Sequence, residues 1–125
     1  MTFTPSVNGK PAAPRNDGHV PSYRVRPGET LVIRVAVTVP EHLRVTALWL
    51  GISQGTWGNG PNGPVGMSPV LAHDRQPLPA GSHTFRLRWR VPQRHSAASL
   101  YLIFAWSSRR PAASVSGPVA RLILT

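Results

Sequence analysis

HTFRLRWRV, residues 83–91, alternates without a break between two kinds of side chain. His83, Phe85, Leu87, Trp89 and Val91 fall on one side of an extended chain, and Thr84, Arg86, Arg88 and Arg90 fall on the other. A period of two, apolar against charged, is the mark of a strand with one face in a core and one in water. The run TLVIRVAVTV at 30–39 repeats the pattern, with Leu31, Ile33, Val35, Val37 and Val39 inward and Arg34 outward.

Working outward, strands are predicted near 20–26, 30–39, 43–53, 82–91, 99–107 and 118–124, with a short one near 69–73. Fourteen prolines and eleven glycines punctuate these runs, and no window sustains a helical apolar stripe. The turn RPGE at 26–29 places Pro27 where a fixed φ helps and Gly28 where a positive φ is needed. LPAGS at 78–82 does similar work before the arginine strand, and Pro40 and Pro92 each stop a ladder because proline has no N–H to donate. Residues 1–19 are rich in Pro, Asn and Gly and are expected to be an arm or a loose edge strand, leaving 20–125 as the domain. The stretch QGTWGNGPNGPVGMSP opens a long Gly/Pro/Asn-rich loop at 54–68, of a length that in compact domains is usually functional or disordered.

A chain of 125 residues suits one domain that buries a real core. It has no cysteine, which excludes disulfides, thiolate metal sites and thiol nucleophiles together. Fourteen basic residues, all arginine but Lys10, face only Asp17, Glu29, Glu41 and Asp74, for a net charge of +10. Such a balance attracts nucleic acid, acidic proteins, anionic glycans or anionic lipid, and says nothing about fold. The N-terminus lacks an apolar run of signal-peptide length, and no stretch approaches the ~20 apolar residues of a membrane span. The expectation is a cytoplasmic protein, or one exported as part of a larger assembly.

The segments VRPGETLVIRVAVTVP at 25–40, LPAGSHTFRLRWRVP at 78–92 and SLYLIFAWS at 99–107, with Trp49 between them, resemble the B, E, F and C strands of bacterial immunoglobulin-like and fibronectin-III-like sandwiches. The resemblance is one of pattern over roughly residues 20–125, without the cysteine pair and with an unusually long 54–68 loop. It implies an all-β, two-layer antiparallel sandwich of about seven strands. Strands 20–26, 30–39 and 82–91 would then form one sheet, and 43–53, 99–107 and 118–124 the other.

Under that arrangement Arg24, Arg26, Arg34, Arg86, Arg88 and Arg90 share one outer face. With few acids to interleave, this face is a candidate anion-binding surface; the plainer reading is a solvated sheet that blunts its own edges. The other sheet is apolar on both sides. Choosing Leu43, Val45, Ala47 and Trp49 for the core leaves Leu48, Leu50 and Ile52 outside, with Leu102, Phe104 and Trp106 beside them. An apolar outer face calls for a cover: the N-terminal arm, the long loop, a second copy or another protein. Leu48, Leu50, Ile52, Trp57, Leu102, Phe104 and Trp106 are therefore the expected surface for a protein partner or homo-oligomer. Trp57, set among glycines, also suits stacking on a sugar ring, or stapling the loop to its own domain.

The sequence points away from an enzyme. His73 and Asp74 are adjacent and so project to opposite faces of a strand, no nucleophile elbow occurs, and the four carboxylates are scattered. His19, His42, His73, His83 and His95 have no metal-ligand spacing, and His83 is read as a core or rim residue. No cofactor motif is present; the glycines near Trp57 lack the lysine and following helix of a phosphate loop. The expected function is a non-catalytic interaction or assembly module, with polyanion binding and then carbohydrate binding as alternatives.

Overall fold

Alternating inward apolar and outward polar residues build two ten-residue strands, β3 (Thr30–Val39) and β8 (Gly81–Arg90), which pair antiparallel over their full length. A computed structural model describes residues 1–10, 20–73, 77–94, 99–108 and 115–125. Their fold is all-β, with no helix among the described residues and hence none long and apolar enough to cross a membrane. β1 (Thr2–Val7) adds antiparallel to the free side of β3, giving a three-stranded sheet in the order β1-β3-β8.

A five-stranded sheet packs against it. Its members are β2 (Ser22–Val25), β4 (Ala47–Ser53), β7 (Ser68–His73), β9 (Ser99–Ser107) and β10 (Val115–Leu124), in the order β2-β10-β9-β4-β7. β2 runs parallel to β10, and the other pairs are antiparallel. The remaining strands, β5 (Gly58–Gly60) and β6 (Gly63–Val65), form a small hairpin. The stretch expected to be an irregular loop thus folds back on itself around Pro61 and Asn62, with Gly63 at φ +127°.

The placement of β2 corrects the expected sheet membership of residues 20–26. Alternation does put Tyr23 and Val25 in the core, but the turn at 26–29 is a corner between sheets. Its hydrogen bond, Glu29 N–H to Arg26 O at 3.1 Å, turns the chain from β2 in one layer into β3 in the other. The place beside β3 is taken by β1. Val7 of β1 is fully buried, Phe3 stacks on Phe104 with centroids 4.1 Å apart, and the Tyr23 hydroxyl donates to Pro5 O at 3.4 Å.

The inward register of β4 is a second correction. Val45 is buried and bridges to Leu78, as its inward assignment required. The phase then shifts at Thr46, whose N–H and Oγ1 both donate to Ser107 O at 2.8 and 3.0 Å. Beyond it Leu48, Leu50 and Ile52 join the core, while Ala47 and Trp49 face out. The ladder to β9 sets Leu48, Leu50 and Ile52 opposite Trp106, Phe104 and Leu102, so these six side chains share the inner face.

The other side of this sheet is also covered. Ile103, opposite Gly51 on β4 and Pro118 on β10, is fully buried there, as is Ala105. The cover is the chain's own: Gly63 of the hairpin lies against the Trp49 indole, Trp57 sits 5.7 Å from the Tyr101 ring, and β5 lies against β10. Burying a side chain the size of Ile103 stabilises by about 1.5–3 kcal/mol.

Gly51 lets the segment after the hairpin approach closely, since a Cβ there would stand 2.5 Å from Ser68 O and 3.0 Å from Met67 Cε. Gly51→Ala should lower stability by about 1–3 kcal/mol through overpacking, read as a lower urea midpoint. A midpoint equal to the wild-type value would show that this contact is loose.

At the far end of β1, Lys10 Nζ meets Glu29 Oε2 at 2.8 Å and donates to Arg24 O at 3.0 Å, tying the strand to the corner. Burial raises the Glu29 pKa, but hydrogen bonds from Lys10 and the Arg26 N–H, with both positive charges, carry it net below 4.5. A carboxylate with a depressed folded pKa adds stability above its unfolded pKa, and that gain is lost as pH falls through the folded value. Glu29→Gln should therefore cost about 0.5–1 kcal/mol at neutral pH. Urea melts of the variant and wild type should converge as the pH drops below 4.5.

Candidate functional site

The outer face of the three-stranded sheet follows directly from strand alternation. Because Leu31, Ile33, Val35 and Val37 must point inward, the residues between them point to water. The β3–β8 register then sets Arg34 directly opposite Arg86, Arg88 opposite Val32, and Arg90 opposite Thr30. Thr84 and Ser82 continue the row opposite Ala36 and Thr38, while Ser6, Thr4 and Thr2 of β1 extend the face past β3. All four arginines are exposed.

Hydrogen-bond phase places the arginines more closely. Val32 bonds toward β1, its C=O accepting from Asn8 N–H at 3.0 Å, while Val91 exchanges bonds with the corner before β3 at 2.8 Å. Alternation then makes Arg34 and Arg86 a non-hydrogen-bonded pair, the kind in which facing side chains are closest. Like charges placed so oppose strand pairing. Among the described residues nothing acidic on this face relieves them, and the only ion pair is Lys10–Glu29. Arg90 leans toward the corner, its Nε donating to Gly28 O at 3.3 Å.

Two of the six arginines grouped from the sequence lie elsewhere. Arg24 on β2 projects to the outer side of the five-stranded sheet, opposite Ile123, and Arg26 lies in the corner with its N–H donating to Glu29 Oε1 at 3.0 Å. Both departures follow from the sheet that β2 joins. Arg24 instead shares its face with Arg121, whose Nε donates to Ser99 Oγ at 3.3 Å. The alternation of VARLIL at 119–124 marks Arg121 as outward, and that was the available signal.

The proposed apolar interface loses its surface. Leu48, Leu50 and Leu102 are fully buried, and Ile52 is 7% exposed. Phe104 and Trp106 pack against the core from its rim, and Trp57 is half-buried against Tyr101. The seven residues do not form an outer patch, because six of them face inward and the hairpin covers the opposite side of their sheet. Among the described residues only Val65 and Val115 are large exposed hydrophobics.

The histidines do not converge. His42 is exposed, His83 Nε2 lies 2.6 Å from Pro79 O, and His73 packs edge-on to Phe85 with centroids 6.3 Å apart. His19, Asp74 and His95 lie outside the described residues. Among the described residues no group of three or more His, Cys, Asp or Glu is placed to hold a metal.

No protein-family model, curated protein or solved structure matches this chain.

The Arg34–Arg86 contact makes a stability prediction of its own. Arg34→Glu turns a repulsive cross-strand pair into an attractive one and should raise stability by about 0.2–1 kcal/mol at low ionic strength. The gain should shrink as salt screens the pair. Urea melts at two salt concentrations read both effects.

Proposed function

We propose that the protein is a binding module of immunoglobulin-like connectivity whose arginine face, Arg34, Arg86, Arg88 and Arg90, takes an extended polyanion. The connectivity is supported by the strand order: β3 with β8 matches the B–E pair, β10-β9-β4 the G-F-C sheet, and β7 the added C′ strand of variable-type domains. One observation carries the ligand class. Arg34 stands directly opposite Arg86, with Arg88 and Arg90 continuing the row, on a sheet face without an acid among the described residues.

A face of that kind is less stable alone than with a neutralising ligand, because each bound anion relieves repulsion that folding has built in. Alternate residues along β8 stand roughly 6.6–6.8 Å apart, so the row suits a ligand with repeated charges better than a single anion. The flanking hydroxyls of Ser82, Ser6 and Thr4 offer neutral hydrogen bonds at its border.

Fluorescence anisotropy with a sulfated oligosaccharide and with a single-stranded oligonucleotide tests this. Binding at low salt should weaken by roughly fifty-fold between 50 and 200 mM salt if four arginines each neutralise one charge on a single strand. Arg86→Ser with Arg88→Ser should lose most of it, while Arg24→Ser with Arg26→Ser, off this face, should retain it. Absence of low-salt binding, or equal losses in the two double variants, would overturn the proposal.

A further inference from the structure

The arginine row coincides with an open sheet edge. β8 pairs with β3 on one side, and no described residue pairs with its other side. Since Val91 directs its N–H and C=O toward the corner before β3, strand alternation directs those of Trp89, Leu87, Phe85 and His83 toward β3 as well. The backbone groups of Arg90, Arg88, Arg86, Thr84 and Ser82 therefore point outward along the free edge. The residues that carry the charge also carry the unpaired ladder.

The inner side of the same edge is incompletely filled. Leu87 is buried, but His83, Phe85 and Trp89 are only half-buried. A cavity of about 220 Å³ lies beside Trp89, Pro92, Ile52 and Leu100, where the layers part. An added strand would meet charge on its outer face and, at the Trp89 end of its inner one, a gap lined by Ile52, Leu100 and Pro92 with Ser53, Gln54 and Ser68.

We infer that the β8 edge accepts an extended segment of an acidic partner protein as an added antiparallel strand, with acidic residues at alternate positions and apolar residues between them. This rests on the polyanion reading and specifies its ligand. In an antiparallel pair the residues that exchange hydrogen bonds stand directly opposite each other on the same face. Each acid would thus sit across from Arg86, Arg88 or Arg90 while its own backbone completes the β8 ladder, and an intervening side chain would enter the gap beside Trp89. Strand addition of this kind draws affinity from the main chain and selectivity from alternate side chains.

A second copy does not fit. Asp17, Glu29, Glu41 and Asp74 are the only acids, and no two of them stand two residues apart. Two β8 edges brought together would set arginine against arginine, the arrangement by which edge strands avoid self-pairing.

Peptides of ten residues, the length of β8, test the inference on the unaltered protein. One alternates Asp and Val, a second has the same composition in two blocks, and a third is the alternating peptide N-methylated at every Asp. The alternating peptide should bind at least tenfold tighter than the other two. Thr84→Pro removes an edge-facing N–H without removing an arginine or a β3 hydrogen bond. It should weaken the alternating peptide and leave sulfated-oligosaccharide binding unchanged. Equal binding of all three peptides, or binding of the oligosaccharide without any peptide, would overturn strand addition and leave the polyanion reading intact. Failure of every anion at low salt would overturn both.

Discussion

The ladder between β3 and β8 is the constraint on which the rest depends. Ten residues pair with ten without a break, and their inward side chains supply the floor of the core from Leu31 to Val39. A slip of one residue would expose that whole set, so register is held by burial far more strongly than the outward residues can oppose it. The structure consequently tolerates Arg34 across from Arg86. The cost of the like-charge contact is small beside the gain from the apolar set, and the same geometry leaves a charged face with no acidic partner among the described residues.

The five-stranded sheet solves the opposite problem. Its strands are too apolar for one dry face, and each face acquires its own cover. The three-stranded sheet takes Leu48, Leu50, Ile52 and Leu102, and the β5–β6 hairpin with Trp57 takes Trp49 and Tyr101. Gly51 permits the segment that follows the hairpin, Met67 to Pro69, to come close to β4. Internal covering on both sides moves attention from the apolar residues to the arginines, because the described surface has large exposed hydrophobics only at Val65 and Val115.

Legibility differed from strand to strand for a physical reason. Where one side of a strand is charged, as at Arg86, Arg88 and Arg90, alternation alone separates inside from outside, and the exposed face of β8 was readable at once. Where both sides are apolar, as in LWLGIS at 48–53 or LYLIFAW at 100–106, hydrophobicity offers two registers of similar worth. The choice between them came from contacts distant in sequence: Thr46 on Ser107, and Phe3 on Phe104. Six of the residues grouped as an interface do share a face, and it is the inner one. Arg24 and Arg26 left the arginine group because local pattern records which side of a strand is wet and not which sheet the strand enters.

An all-β chain, its principal strands, the outward arginines of β3 and β8, and a charge excess that four acids do not balance were legible from the residues alone. These are local or compositional properties, set by a period of two and by residue counts. Long-range packing placed β1 rather than β2 beside β3, shifted the phase of β4 at Thr46, folded residues 58–65 over the second sheet, and left β8 at the end of its sheet. Each of these is a choice among partners far apart in the chain, settled by which arrangement buries both apolar faces at once.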